Sequence, residues 1–311
     1  MIIFLLSRKL GGGNLVLQKF CERSDLVVAS TVVDHENISF ENSIELFKFR
    51  DRFRNVFYVL SAASFFIFRI FYLRKRLTVT HNFFLLPLIL LPRYFSRRVI
   101  FLAQDLDFEF FSGLTRYVML FSLRRFAAAG GRVETSSQLL CDRYAEWGIP
   151  SIINPRLNRA LYNFCDSICD NVNTTSVSKH YDFIFLIRNG RHKNPLRTIQ
   201  YIQKATDSGY EVLVINFGNF DLSSLECTVV GCQPRPTFLR MLQSSRAFVC
   251  LSTWEGFGLP NVEAAALGLD VFSTEIPSVT YLRDVGYQHL YSIERLEEIL
   301  NAQDYCDDVF W

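Results

Sequence analysis

The residues best suited to chemistry lie in the run Ser252-Thr253-Trp254-Glu255-Gly256-Phe257-Gly258-Leu259-Pro260-Asn261-Val262-Glu263. Glu255 precedes a glycine-bearing turn, and Glu263, eight positions on, falls inside a helix expected to start at Pro260, the residue type favoured at a first helical position. That spacing suits two separate hydroxyl groups of one elongated ligand better than an acid/base dyad. The turn and the helix start leave backbone N–H groups unpaired at a positive dipole end, a ready site for a diphosphate. Gly256 and Gly258 let the backbone approach such a ligand closely. An ordinary strand–turn–helix corner with two solvated glutamates would read the same, so both interpretations stand at this point.

A second run is Phe185-Leu186-Ile187-Arg188-Asn189-Gly190-Arg191-His192-Lys193-Asn194-Pro195. It ends an apolar strand on one cation and places another five residues later, in a loop before a helix. Two cations fixed at a strand's carboxyl end can neutralise a leaving diphosphate, whose charge grows as a glycosidic bond breaks. A solvated basic loop is the alternative. With arginine and lysine in that role, no metal and no cofactor are expected.

The elements that must hold these residues alternate as in a parallel α/β sheet. Strands are expected at Ile2–Leu6, Leu26–Ser30, Leu77–Thr80, Val99–Ala103, Arg132–Thr135 and Ser151–Asn154. Gly11-Gly12-Gly13 forms a turn after the first of them, and Asn14 is the expected cap of a helix over Leu15–Cys21. Residues 155–180 lack a clean period, and 161–180 read as a linker between a domain over 1–160 and another over 181–311. Alternation then restarts, with strands at Tyr181–Ile187, Glu211–Phe217, Thr228–Val230, Ala247–Leu251 and Val271–Ser273. Helices are expected over Leu196–Ser208, Arg235–Ser244 and Pro260–Leu267. The fold class is therefore α/β, two Rossmann-like domains whose parallel sheets face a cleft at the strands' carboxyl ends.

On these residues the chain resembles a known family. EGFGLPNVEAAALGLDVFST is similar to the E-x7-E signature of the family 4 retaining glycosyltransferases, enzymes of the GT-B fold. The resemblance implies that Glu255 and the amides of Gly256, Phe257 and Gly258 hold the donor sugar. It implies that Glu263 binds the ribose, and that Leu259, Pro260, Asn261 and Val262 complete the donor-side turn. Arg188 and Lys193 match the family's Arg-x4-Lys spacing. Pro234-Arg235-Pro236 resembles the stretch whose helix start lies near the nucleotide base, and Gly218 is expected to face the base as well. Gly12 and Gly13 resemble the glycine loop that approaches the donor phosphates. The segment LTVTHNFFLLPLILLPRYFSRRVIFLAQDLDFEFF resembles the acceptor-side wall of bacterial O-antigen- and rhamnan-type transferases. That likeness assigns His81, Asn82, Gln104 and Asp105 to the acceptor side, His81 as a catalytic candidate and Asp105 or Glu109 as a base. Asp270 departs from the family's usual proline, and the stretch after Ser273 reads as reduced.

The implied activity is retaining transfer of a sugar from a UDP-, GDP- or dTDP-sugar to a glycan or lipid-linked glycan hydroxyl, in cell-surface polysaccharide synthesis. An inactive sugar-nucleotide-binding partner subunit is the alternative from another class. Composition bounds the rest. Of 311 residues, half are hydrophobic and only 9 are proline, which describes a folded chain. Residues 1–170 hold 22 Lys and Arg against 15 Asp and Glu, although the whole chain is only +2. A basic first half suggests an anionic partner such as a membrane surface, ordinary charge scatter being the alternative. No nucleic-acid partner is expected. Eight unpatterned cysteines and a start without a signal-peptide pattern point to the cytoplasm, on the inner membrane face. Val56–Leu73 reads as a buried helix or one lying on a membrane; Arg69 argues against a span.

Overall fold

The computed structural model describes residues 2–5, 12–21, 27–32, 43–48, 77–82, 84–86, 93–171 and 178–302. The chain divides into two compact units, residues 1–164 and 165–311.

The first unit contains β1 (Ile2–Leu5), α1 (Gly12–Cys21), β2 (Val27–Val32), β3 (Ser43–Lys48), β4 (Leu77–Val79), α2 (Arg93–Ser96) and β5 (Val99–Ala103). It continues with α3 (Gly113–Ala128), β6 (Arg132–Thr135), α4 (Gln138–Glu146), β7 (Ile152–Ile153) and α5 (Pro155–Asn171), which runs into the second unit. Its strands pair in parallel in the order β3-β2-β1-β4-β5-β6-β7. All five side chains of β5 are buried, as expected of a strand covered on both faces.

The second unit contains β8 (Tyr181–Ile187), α6 (Pro195–Asp207), β9 (Val212–Asn216), β10 (Thr228–Val230), α7 (Arg235–Gln243), β11 (Ser245–Cys250) and α8 (Leu259–Ala266). After them come β12 (Asp270–Ser273), α9 (Pro277–Asp284), β13 (Leu290–Tyr291) and α10 (Ile293–Asn301). This sheet is also parallel, in the order β10-β9-β8-β11-β12-β13. Phe183, Phe185, Ile187, Val212, Val214, Ala247 and Val249 form its core against Tyr201, Ile202, Leu296 and Leu300 of α6 and α10.

In both sheets the chain builds outward from the first strand on one side and then returns to its other side. The order reverses between β1 and β4, and again between β8 and β11. Beyond the carboxyl ends of two such strands the flanking loops diverge and leave a crevice, where ligands of doubly wound sheets bind. In the second unit, Arg188 follows β8, and the Ser252–Glu263 run follows β11.

The structure corrects several sequence expectations. The segment read as a linker begins inside α5, whose Leu157, Ala160, Leu161, Phe164, Cys165 and Ile168 are buried at helical spacing. Asn154 caps that helix, its Oδ1 accepting from the amides of Arg156 and Leu157 at 2.9 and 3.0 Å. Pro155 opens the helix directly after the expected strand Ser151–Asn154, of which only Ile152–Ile153 forms. Helix α1 starts at Gly12, so Asn14 lies inside it and does not cap it. The stretch after Ser273 holds two helices: α9 begins on Pro277, and α10 is capped by Ser292, whose hydroxyl accepts from Arg295 N at 3.4 Å. Strand β3 and helix α3 went unread. Val56–Leu73 and Gly11 lie outside the described residues.

The Asn154 side chain also donates to Glu134 Oε2 at 2.6 Å, tying the cap to β6. Asn154→Ala is expected to lower unfolding stability by roughly 1–2 kcal/mol, measured by chemical denaturation.

Candidate functional site

Three loops meet at the carboxyl edge of the second sheet. The loop after β8 carries Arg188, then a 3-10 turn over Arg191–Lys193, then Asn194 in the left-handed region with φ 51°. Pro195 starts α6 behind it. The loop after β11 is stitched to this turn. Thr253 N donates to the His192 carbonyl at 2.8 Å, Thr253 Oγ1 donates to the same oxygen at 3.2 Å, and Asn194 Nδ2 donates to the Leu251 carbonyl at 3.3 Å. These bonds fix Lys193 against Glu255. Lys193 Nζ donates to Glu255 Oε2 at 2.6 Å, and the two side chains are only 10% and 15% exposed. Ser252 Oγ donates to the other carboxylate oxygen at 2.8 Å.

Burial works to raise the Glu255 pKa, but Lys193 and Arg188, helped by the hydrogen bonds, outweigh it and hold the carboxyl below its ordinary value. Glu255 is therefore an anion held by one donor on each oxygen. Glu263 is the opposite case. Burial raises its pKa, and the opposing charges of Arg235 and Arg188 do not cancel that rise. Its side chain is 4% exposed, and one oxygen lies 2.5 Å from Arg235 at the start of α7. Arg188 thus bears on both carboxylates, and its guanidinium sits 4.9 Å over the Phe217 ring. One pocket is lined by Arg188, Lys193, Ser252, Glu255, Gly258 and Pro260, with Asn261 beside them.

Gly258 is the N-cap of α8, with φ 96°. A Cβ there would stand 2.6 Å from Ser278 Oγ and 2.8 Å from Ile276 Cδ1, so both backbone conformation and space demand glycine. Gly256 does not take a positive φ. Phe257 packs edge-on against Tyr281 and bonds α9 through its carbonyl, which accepts from Ser278 N at 2.8 Å. Leu259 and Val262 are core residues. Asn261 Nδ2 donates to Ser273 Oγ at 2.8 Å, while its buried Oδ1 has no hydrogen-bond partner. Gly218 lies after β9 with its carbonyl accepting from Asn189 Nδ2 at 3.5 Å, which brings that loop beside Arg188.

The first-unit residues assemble at the ends of β4 and β5. Asn82 is fully buried and committed to α3: its Nδ2 donates to the Met119 carbonyl at 3.0 Å, and its Oδ1 accepts from Ser122 Oγ at 3.3 Å. It anchors the β4 end and presents nothing to a ligand. His81 is partly exposed beside it. Asp105 and Asp107 form an Asp-x-Asp spacing that sequence reasoning passed over. Each carboxylate is taken by a backbone amide, Leu106 N on Asp105 at 2.8 Å and Asn82 N on Asp107 at 3.0 Å. Burial raises the pKa of Asp107, with the His81 charge opposing. Glu109, read as a candidate base, is paired with Arg116 at 2.6 Å. Gln104 follows β5, partly exposed. Gly12 and Gly13 form the first turn of α1.

Sequence reasoning missed Arg235 as the partner of Glu263, although Pro234-Arg235-Pro236 had marked the place. It also missed Asp107.

Burial, with the Lys193 charge, pushes His192 down to about 4, while Glu255 opposes the shift. Above pH 6.5 the imidazole is neutral in both folded and unfolded chains. Below it the unfolded chain binds a proton that the folded one refuses, so stability falls down to about pH 4. A loss of roughly 1–2 kcal/mol is expected after solvent screening, read by denaturation at each pH, and His192→Phe should flatten that slope. Gly258→Ala is expected to cost about 1–3 kcal/mol in the same measurement.

With this geometry in view, comparison with known proteins is informative. Residues 173–284 match the family Glycosyl transferases group 1. No curated protein matches the sequence. Among solved structures, the sucrose-phosphate synthase of Thermosynechococcus elongatus is similar at TM-score 0.60 and 11% identity, over 97% of this chain and 90% of that one. Anabaena Alr3699/HepE in complex with UDP and glucose is similar at TM-score 0.58 and 15% identity, over 96% and 88%. A trehalose-6-phosphate synthase, described in terms of glycosyltransfer with retention, gives TM-score 0.57 and 9% identity, over 99% and 91%. These structures are GT-B glycosyltransferases, and the two parallel sheets described above have the same fold. Residues 173–284 thus carry a likeness to the group 1 glycosyl transferases, in a chain whose two sheets have the GT-B fold.

Proposed function

We propose that the protein transfers a sugar, with retention, from a nucleoside-diphosphate sugar to a hydroxyl of a glycan or lipid-linked glycan. The observation that carries this reading is the convergence of Arg188, Lys193 and the α8 amino end on one pocket at the β8/β11 reversal, with Glu255 and Glu263 in the same electrostatic field.

In this reading the diphosphate lies against Arg188, Lys193 and the amides at the start of α8. The sugar hydroxyls meet Glu255 and the Gly256–Gly258 turn, and the ribose hydroxyls meet Glu263. Breaking the bond from the anomeric carbon to the phosphate oxygen leaves negative charge on the diphosphate, which the two cations stabilise. The acceptor oxygen forms its new bond on the same face of the sugar, and its proton passes to the departing phosphate oxygen. No metal or resident cofactor is assigned a role. Acceptor contacts are assigned to His81, Gln104 and Asp105. Retention is supported by the E-x7-E resemblance and by the trehalose-6-phosphate synthase relative described for it; a UDP-sugar donor is favoured by the UDP and glucose held by the Anabaena relative. A cell-surface polysaccharide acceptor on the inner membrane face rests on the resemblance of the first half to O-antigen-type transferases.

A thermal-shift screen of nucleoside-diphosphate sugars should single out the donor, because binding to the folded state raises the melting temperature. With that donor, Glu263→Ala is expected to raise donor KM, and Arg188→Ala to lower kcat on the order of a hundredfold or more. Wild-type kinetics in both variants would overturn the assignment.

A further inference from the structure

Helix α3 has two apolar faces, and only one is covered. Met119, Leu120, Ser122, Leu123 and Phe126 are buried, and Asn82 holds that side through Met119 and Ser122. On the other side Leu114 is 77% exposed, Tyr117 66% and Phe121 47%, with Val118 beside them. These positions follow i, i+3, i+4 and i+7, so they form one stripe along the helix. Tyr117 and Phe121 stack nearly parallel, 15° between planes, into a flat aromatic surface.

Charge is distributed as unevenly as apolarity. Exposed Arg124 and Arg125 continue the stripe into the last turns, and exposed Arg97 lies against Gly130 just past the helix end. Arg124 also donates from Nε to the Trp147 carbonyl at 2.9 Å. The helix contains no Asp or Glu. The helix dipole favours arginines at the carboxyl end, but it gives no reason for leucine, tyrosine and phenylalanine in water. A surface helix of a globular domain ordinarily turns a polar face outward.

We propose that the outer face of α3 docks the first unit on an anionic lipid surface. Leu114, Tyr117 and Phe121 enter the boundary between headgroups and acyl chains, and Arg97, Arg124 and Arg125 meet lipid phosphates. Lipid is favoured over protein because the helix offers cations and apolar area and holds no carboxylate of its own, whereas protein interfaces mix both signs around an apolar centre. The basic balance of residues 1–170 points the same way. Docking through this face is independent of the donor-site assignment.

The test is flotation of the full chain with vesicles of phosphatidylcholine alone and of phosphatidylcholine with phosphatidylglycerol. The wild type is expected to float with the anionic vesicles only, and less so in high salt. Tyr117→Ser with Phe121→Ser should weaken binding on the order of tenfold or more, and Arg124→Gln with Arg125→Gln roughly fivefold per charge removed. Leu114→Ser, at the most exposed of these positions, gives a milder variant, and unchanged melting confirms that each is folded. Donor binding should be unaffected, which separates this test from that of the transferase reading. Absence of wild-type flotation, or variants that float like the wild type, overturns the proposal. So does a concentration-dependent dimer that Phe121→Ser abolishes without any vesicle binding, which would make the face a contact between copies.

Discussion

The ion pair between Lys193 and Glu255 is the constraint around which the second unit is arranged. Two charged side chains removed from water cost several kcal/mol each, and attraction offsets this only when geometry is good and the spare lone pairs are satisfied. Here the 2.6 Å contact, the Ser252 hydroxyl and the nearby Arg188 supply those conditions. They exist because the β8 and β11 loops are joined through the carbonyls of His192 and Leu251. The pair is thus a consequence of sheet order: the loops meet because β8 and β11 are adjacent, although 62 residues separate the two charges in sequence.

Glu255 and Glu263 show how one site gives two carboxylates different tasks. The first is held by Lys193 and Ser252 and remains an anion. The second is buried beside one arginine, and its pKa rises nonetheless. A carboxylate kept in an environment that disfavours its charge is held there against stability, which is the pattern expected where a ligand completes the hydrogen bonding. Arg235 occupies Glu263 in its present state, so a ribose reaching that carboxylate must share it or displace the guanidinium.

The first unit uses the same topology for a different arrangement. Its strand ends carry His81, Asp105 and Asp107, but backbone amides take up both aspartates and Asn82 serves α3. Structural demands and the outer face of α3 thereby converge on one corner of the unit: the side chain that fixes the β4 terminus also grips the helix whose far side stands bare.

The sequence by itself determined the elements with strong local signals. Runs bearing β-branched and aromatic residues marked β5, β6, β8 and β10 to the residue, although β10 is largely exposed, and Pro260 marked the start of α8 to within one residue. It also determined which residues bear charge at the strand ends. It was silent on α3, because apolar residues on both faces erase the helical period, and it did not reveal the helix α5 in the segment read as a linker, because polar residues mask the buried stripe. What only the tertiary structure decided is which charges meet. Pairing of Lys193 with Glu255, of Asn82 with Met119 and of Arg235 with Glu263 spans 62, 37 and 28 residues of chain. Such distances are closed by strand order, and no local pattern of residues records the order in which parallel strands are laid side by side.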